Sequence, residues 1–326
     1  MLHHAEHHPC WRAGNAQGAK TPEAISIGDG DVTGRRLDRR ASWTAQVCAA
    51  QRAAETLRPP DRRLLEDPYS RHFVRDPALR TVLTHPLVAR AFIARQERMV
   101  PGLQAFIALR VRYVDDVYRA AINDGIDQLV LLGAGFDTTS LRWSGEAVTI
   151  FEVDAPSTLR DKRTVSEKLL PNGDSTQVVW VPCDFEHDAL REQLLSSGFD
   201  PNRPSVIAWI GVSLYLTCDA LATTLADLAE LCAPGSQLIF DYIDADVVTG
   251  ETQWKGARRA ARAVALRGEP YRTGFTSTDV DALFAAHGFE CREHARTPTL
   301  LQRYSPAQVS RPVGNDWQAI TTAQRI

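Results

Sequence analysis

The sequence predicts an α/β protein in which an open, mostly parallel sheet is covered by helices and preceded by a helical N-terminal addition. After Gly125, short apolar runs alternate with helical stretches, as in parallel sheets packed between helices. Before Gly125, apolar residues recur with the spacing of an amphipathic helix. The 326 residues, 44% hydrophobic and 24% charged, have the composition of a folded globular chain.

The N-terminal region divides into a tail and a helical cap. Residues 1–40 are polar and glycine-rich without hydrophobic periodicity, so we expect a disordered tail, and we interpret its four histidines as incidental. We expect one domain over residues 41–326, with the cap over 41–126. One helix spans 45–55 with Ser42 or Thr44 as its cap, and a second contains Phe106, Leu109, Tyr113, Val117 and Ala121 and stops at Asn123-Asp124-Gly125.

The core is predicted over residues 127–326. Its strands are expected at 128–132, 148–153, 178–181, 206–210 and 237–242. Its helices are expected at 157–168, 188–195, 219–231 and 279–286. The alternating run at 289–294 predicts an antiparallel edge strand, and the insertion at about 244–276 is expected to cover the substrate. In such a sheet, ligands bind at the carboxyl ends of the strands.

Composition and charge argue against several kinds of partner. With 37 basic and 40 acidic side chains, a net charge of -3 gives no long-range attraction to nucleic acid or to an anionic membrane. No apolar run approaches the roughly 18 residues of a membrane span, and a signal-peptide pattern is missing, so we expect a cytoplasmic protein. The six cysteines form no C-x-x-C pair, and the spacing of His72, His187, His287 and His294 indicates neither a metal centre nor a triad. A monomer and a homodimer both remain open.

The loop after the first predicted strand indicates the class of ligand. Its sequence, Gly133-Ala134-Gly135-Phe136-Asp137-Thr138, is a tight glycine turn that lets the backbone approach a nucleotide-type ligand. A dinucleotide fingerprint would need glycine in place of Thr138, and Asp137 would repel a pyrophosphate. S-adenosylmethionine has cationic amino and sulfonium groups and no phosphate, so it tolerates this carboxylate. Asp154, preferred over Glu152, ends the second strand where an acid can accept from ribose hydroxyls.

The stretches Leu132-Gly133-Ala134-Gly135-Phe136-Asp137-Thr138 and Phe151-Glu152-Val153-Asp154-Ala155-Pro156 resemble the signature of the leucine carboxyl methyltransferase family. Further blocks resemble that family in the same order. They are Glu66-Asp67-Pro68-Tyr69, Leu109-Arg110-Val111-Arg112-Tyr113, Pro182-Cys183-Asp184-Phe185 and Gly211-Val212-Ser213-Leu214-Tyr215-Leu216. The resemblance covers about residues 42–293. Within the family, the sequence is most similar to the bacterial O-methyltransferase branch. It implies a Rossmann-like class I methyltransferase fold and S-adenosyl-L-methionine as the cofactor.

The resemblance also implies roles for individual residues. It places Arg110 at the methionine carboxylate, Gly133 and Gly135 at the methionine moiety, Asp154 at the ribose, and Asp184 with Phe185 around the adenine. The full predicted cofactor-binding set is Arg110, Gly133, Ala134, Gly135, Asp137, Asp154, Ala155, Asp184, Phe185, Ile210 and Gly211. Many family members carry an acid just before the glycine that matches Gly211, whereas this chain has Ile210. The cofactor's amino group must then meet backbone carbonyls, Asp137 or another group. Asp184 has a second interpretation as the N-cap of the next helix.

Tyr215 and Arg272 are the predicted catalytic residues, although packing for the tyrosine and a solvated loop position for the arginine are alternatives. The strand tips show no obvious general base. A carboxylate acceptor, with a pKa of about 4, needs none, whereas a phenol or an alcohol does. Together with the family resemblance, this predicts O-methylation of a small molecule, with a carboxylate favoured. The resemblance also implies a role in secondary metabolism. Methylation of a hydroxyl, an NAD-dependent oxidoreductase and a non-catalytic cofactor-fold module are the alternatives.

Overall fold

The computed structural model describes residues 43–170, 175–305 and 316–326. The expected tail at 1–40 and the candidate cap Ser42 lie outside the described residues. Within them, one sheet contains β1 Gln128–Leu132, β2 Thr149–Asp154, β3 Gln177–Pro182, β4 Ser205–Trp209, β5 Gln237–Ile243, β6 Phe289–Arg296 and β7 Gln318–Arg325. The strand order is β3-β2-β1-β4-β5-β7-β6. Strands β1 to β5 pair in parallel, and β7 runs antiparallel to both β5 and β6. The predicted α/β fold with an antiparallel edge is confirmed.

Helices flank this sheet and build the N-terminal cap. In chain order they are α1 Trp43–Thr56, α2 Pro77–Val82, α3 Pro86–Met99, α4 Leu103–Asn123, α5 Thr139–Arg142, α6 Pro156–Ser166, α7 Leu190–Ser196, α8 Cys218–Leu231, α9 Ala245–Thr249, α10 Lys255–Ala265, α11 Ser277–Ala286 and α12 Thr297–Tyr304. Short 3₁₀ turns occur at Pro60–Arg62, Ser70–Phe73 and Ser213–Tyr215. None of the helices in these ranges is both long enough and apolar enough to cross a membrane.

Each predicted strand and helix is present, with bounds that differ by a few residues. The sequence did not predict helices α2, α3, α5, α9, α10 and α12 or strand β7. Helices α2 and α3 begin with a proline directly after a side chain that caps them, Asp76 and His85. Proline suits the first turn of a helix, where its missing N–H costs nothing. These prolines therefore mark helix starts rather than loops.

Strand β1 lies at the centre of the parallel part and contributes to a core on each face of the sheet. Val130 and Leu132 pack into the core that contains α7, α8 and α11. Leu129 and Leu131 pack into the opposite core with helices α4 and α12. A strand buried on both faces reads as a continuous apolar run, which is why β1 was predicted with its correct bounds.

The insertion between β5 and α11 contains α9, α10 and a loop that returns over the carboxyl ends of the strands. The backbone N–H of Arg272 donates to the carbonyl of Leu214 at 2.8 Å. The hydroxyl of Thr273 donates to the carbonyl of Leu216 at 2.7 Å. These bonds fix the loop to the 3₁₀ turn that follows β4. The insertion therefore lies beside the strand ends where a ligand is expected.

Candidate active site

A cavity of about 800 Å³ opens at the carboxyl ends of β1, β2, β3 and β4. Its walls contain every residue that the sequence analysis assigned to the site. These are Arg110, Gly133, Ala134, Gly135, Asp137, Asp154, Ala155, Asp184, Phe185, Ile210, Gly211, Tyr215 and Arg272.

The glycine loop after β1 is held by Asp154 at the tip of β2. Gly133 and Gly135 have positive φ angles of 65° and 47°. The two carboxylate oxygens of Asp154 accept the N–H groups of Gly135 at 2.6 Å and Ala155 at 2.7 Å. Burial raises the pKa of Asp154, and these two backbone hydrogen bonds oppose that rise. Each carboxylate oxygen keeps a second lone pair, so Asp154 can still accept from ribose hydroxyls.

Gly133 also has no room for a side chain. A Cβ atom there would lie 2.0 Å from Cγ2 of Val212, which follows β4. The loop and the segment after β4 therefore approach each other more closely than any other residue at 133 would permit.

Glu152, the alternative to Asp154, is turned away from the cavity. It forms a buried ion pair with Lys162 of α6, and neither side chain is exposed. The ammonium group of Lys162 also donates to the carbonyl of Ala134 at 3.1 Å. Glu152 and Lys162 thus support the loop from the buried side, whereas Asp154 lines the cavity.

The N-terminal cap fixes the other side of the same loop. Arg52 of α1 donates to Asp67 at 3.0 Å and to the carbonyl of Phe136 at 2.5 Å. The hydroxyl of Thr138 donates to the same oxygen of Asp67 at 2.8 Å. The helical cap is therefore part of the site, because it determines where the glycine loop lies.

Asp137 carries a negative charge within this loop. Burial opposes that charge, but Arg142, Arg52 and Lys162 lower the pKa of Asp137 to about 2. One of its oxygens accepts the N–H of Thr139 at 2.7 Å. A carboxylate that is ionised at neutral pH in this position is unfavourable for a pyrophosphate and acceptable for a cationic ligand.

Arg110 of α4 reaches the cavity below Gly211. Its Nη1 donates to Asp241 of β5 at 2.7 Å, and Asp241 also accepts the N–H of Gly211 at 2.6 Å. Burial disfavours the guanidinium charge, but Asp241 raises the pKa of Arg110, so the arginine stays charged. A Cβ at Gly211 would lie 3.1 Å from Nη2 of Arg110, so the glycine leaves space for the guanidinium. Asp241 was not identified from the sequence.

The segment after β3 forms another wall of the cavity. Asp184 accepts the N–H of Glu186 at 3.0 Å and lies 3.2 Å from Nδ1 of His187, and both neighbours line the cavity. Helix α7 begins only at Leu190, without a side-chain cap. The interpretation of Asp184 as the N-cap of that helix is therefore wrong, because a turn separates the two.

Contacts between α1 and the insertion form one wall of the cavity. Both the N–H and the hydroxyl of Thr44 donate to Glu269, and Arg267 stacks 4.0 Å from the ring of Trp43. Tyr215 lies beside Thr44, with its ring centroid 5.6 Å from that of Tyr271. Burial raises the pKa of Tyr215, so its hydroxyl stays protonated at neutral pH and can donate a hydrogen bond.

Several residues of this site were not predicted from the sequence. For some of them the sequence contains a local indication, and for others it does not. Asp241 is an acid inside the apolar strand Gln237–Ile243, and an aspartate in a buried strand needs a partner. The sequence could therefore have indicated Asp241 as a residue with a structural or functional partner. Trp43, Thr44, Arg52 and Glu269 reach the site only through contacts between distant parts of the chain, so local pattern gives no indication of them.

Much of this chain is similar in sequence to known proteins. The family model described as leucine carboxyl methyltransferase matches residues 45–229. A relative from Mycobacterium tuberculosis is 34% identical over 202 residues, which are 60% of this chain and 62% of the relative. One from Mycolicibacterium smegmatis is 31% identical over 283 residues, covering 77% of this chain and 89% of the relative. Both are named S-adenosyl-L-methionine-dependent methyltransferases, an activity that their names mark as unproven. The match to the Mycobacterium tuberculosis relative spans about three fifths of that relative's own length.

Two solved structures share the fold. A protein of the DUF574 family from Streptomyces avermitilis has a TM-score of 0.56 and 17% identity, covering 74% of this chain and 92% of its own. A protein from Thermobifida fusca, whose name also marks its methyltransferase activity as unproven, has a TM-score of 0.51 and 19% identity, covering 73% and 88%. At these identities the likeness extends to the fold alone.

Proposed function

This chain belongs to the leucine carboxyl methyltransferase family, and we propose that it transfers a methyl group from S-adenosylmethionine to an oxygen of a small-molecule acceptor, with a carboxylate favoured. The curated relatives named above support the cofactor. The observation that carries the proposal is the negatively charged Asp137 inside the glycine loop, with Asp154 holding that loop at the tip of β2.

The cofactor's chemistry matches the charges along the cavity. The guanidinium of Arg110 pairs with the methionine carboxylate, and the lone pairs of Asp154 accept from the ribose. Asp184 and Phe185 follow β3, at the opposite edge of the parallel strands from β5, whose Asp241 binds Arg110, and the adenine would extend in that direction. Asp137 contributes negative potential near the cationic amino and sulfonium groups. When bound, the cofactor supplies an electrophilic methyl group, and the protein excludes water and aligns the acceptor.

Tyr215 and Arg272 support a carboxylate acceptor. Tyr215 lines the cavity with a protonated hydroxyl, and Arg272 lies on the loop whose backbone is hydrogen-bonded to the neighbouring Leu214. A hydrogen-bond donor and a guanidinium together suit a carboxylate, which is the nucleophile that needs no base at neutral pH. We assign both residues to orienting the acceptor.

Glu269 favours a second candidate, methylation of a hydroxyl. Its carboxylate lines the cavity beside Thr44 and Tyr215, in a position from which a base could take a proton from an acceptor. A positioned general base contributes roughly 10²- to 10⁴-fold to the rate. The two candidates therefore predict different effects of removing this charge.

The experiment uses cofactor with a labelled methyl group and a small-molecule extract as the source of acceptor. For a carboxylate acceptor, mild alkali releases the label as methanol, and Glu269→Gln keeps the turnover number within about threefold. Glu251→Gln, a change of an exposed glutamate on the same insertion, is the matched control. An alkali-stable product together with a loss of about 100-fold in Glu269→Gln would contradict the carboxylate and support the hydroxyl.

A further inference from the structure

Three side chains with metal-binding atoms meet at the edge of the sheet, outside the cavity. They are Asp281 of α11 and Cys291 and His294 of β6. One ligand atom from each lies within 4.8 Å of the others, and Nε2 of His294 is 2.9 Å from Oδ1 of Asp281. Thiolate, imidazole and carboxylate are the protein ligands of zinc.

An irregularity in β6 brings two of these side chains together. In a regular strand, residues three apart point to opposite faces of the sheet. Here the register with β7 shifts between Cys291 and Glu293, so that Cys291 is opposite Ala323 while His294 is opposite Thr321. Ala323 and Thr321 are two apart and share a face. The bulge therefore turns Cys291 and His294 toward the same side, where α11 supplies Asp281.

The other ring nitrogen of His294, Nδ1, already has a hydrogen-bond partner. Nδ1 lies 3.0 Å from the hydroxyl of Tyr242, a buried residue of β5. A metal-binding histidine needs its second nitrogen to donate to an acceptor, which fixes the ring and leaves the first lone pair free. The Tyr242 oxygen can accept that bond when Nε2 binds a metal.

We propose that Cys291 Sγ, His294 Nε2 and Asp281 Oδ1 bind one zinc-type divalent cation, with water completing a tetrahedron. Zinc bonds of about 2.0–2.3 Å place tetrahedral ligands roughly 3.5 Å apart, so movements on the order of 1 Å complete the site. Binding releases the thiol proton to solvent and replaces the hydrogen bond between His294 and Asp281. The ion joins α11 to the edge strand and so braces the helix that follows the cavity loop.

The test must exclude zinc binding by the histidines of the N-terminal tail. The 326-residue protein therefore carries His3, His4, His7 and His8 changed to Gln, and this protein is the reference. After chelator treatment it is titrated with Zn²⁺ against a chromogenic competitor. We expect one equivalent to bind, and at least tenfold weaker binding in Cys291→Ser and in His294→Gln. His72→Gln, which changes an exposed histidine elsewhere, should bind as the reference does.

A second measurement does not depend on the folding of variants. Co²⁺ added to the reference protein should give the ultraviolet charge-transfer absorption of a cobalt–thiolate bond, and Zn²⁺ should abolish it. Absence of that absorption, or zinc binding that Cys291→Ser leaves unchanged, would overturn the proposal. The cluster would then be a hydrogen-bonded contact between α11 and β6 only.

Discussion

Asp241 holds Arg110 in place at the floor of the cavity. Nη1 of Arg110 lies 2.7 Å from one carboxylate oxygen of Asp241, whose other oxygen accepts the N–H of Gly211 at 2.6 Å. The side chains of Arg110 and Asp241 are 11% and 3% exposed, so solvent screens their attraction little. The carboxylate of Asp241, on β5, thereby binds both α4 and the segment that follows β4. Its contact with Gly211 lies directly after Ile210, the position where the family resemblance implies an acid.

Asp241→Asn should weaken binding of S-adenosylhomocysteine about tenfold, which corresponds to roughly 1.4 kcal/mol, because Arg110 loses the charge that orients it. Binding of 5′-methylthioadenosine should stay unchanged, since this ligand lacks the amino acid part that Arg110 is proposed to hold. Calorimetric titration of both ligands measures the difference.

Asp244→Asn is the matched control for this change. Asp244 follows β5 and binds Arg296 through both carboxylate oxygens, outside the cavity. It should lower the melting temperature while leaving both affinities as they are. If Asp241→Asn weakened the two ligands equally, its effect would be structural and the positioning role would be wrong.

Gly133→Ala should abolish cofactor binding and lower the melting temperature. The new Cβ would meet Val212 at 2.0 Å, in addition to the strain of roughly 1–2 kcal/mol for a positive φ. Gly145→Ala separates the two effects, because Gly145 has a φ of 97° and nothing within 4 Å of the added atom. The control should lose some stability and bind normally. Normal ligand binding by Gly133→Ala would show that the loop does not contact the cofactor.

The parallel core was predictable because its strands are buried on both faces and read as apolar runs between helices. The glycine loop and Asp154 followed from that pattern, since a ligand site in such a sheet lies where β1 and β2 end. Strand β7 was not predicted. Its Thr321 and Thr322 are buried, but they are small polar residues in a segment without a large apolar run.

The contacts that shape the site were less predictable than the residues that line it. Arg110 was assigned to the cofactor, whereas its partner Asp241 is 131 positions away in the chain. The contact between Thr44 and Glu269 spans 225 positions and joins two helical additions to the sheet. Helical periodicity indicates which face of α1 is buried but not which residues that face contacts. The bulge at Cys291 to Glu293 likewise depends on pairing with β7, which the sequence did not reveal.

The ionised Asp137 should make part of the protein's stability depend on acid pH. Its folded pKa of about 2 lies below the unfolded value near 3.8, so the charged form stabilises the fold above the unfolded pKa. That contribution falls as pH drops through 4 toward 2, and about 1 kcal/mol should be lost by pH 3. Urea unfolding of the natural protein and Asp137→Asn should show a free-energy difference that shrinks between pH 6 and 3. A pH-independent difference would argue against the charge.

We propose that the cavity binds S-adenosylmethionine through the glycine loop and Asp154, and calorimetric titration of the purified protein measures this binding. S-adenosylhomocysteine should bind at one molecule per chain with a dissociation constant between about 1 µM and 1 mM. Asp154→Ala should weaken it by about 1–3 kcal/mol, because buried ribose hydroxyls lose a charged acceptor. NADH should give no saturable heat. Saturable NADH binding without S-adenosylhomocysteine binding, or an affinity that a folded Asp154→Ala leaves unchanged, would contradict the account.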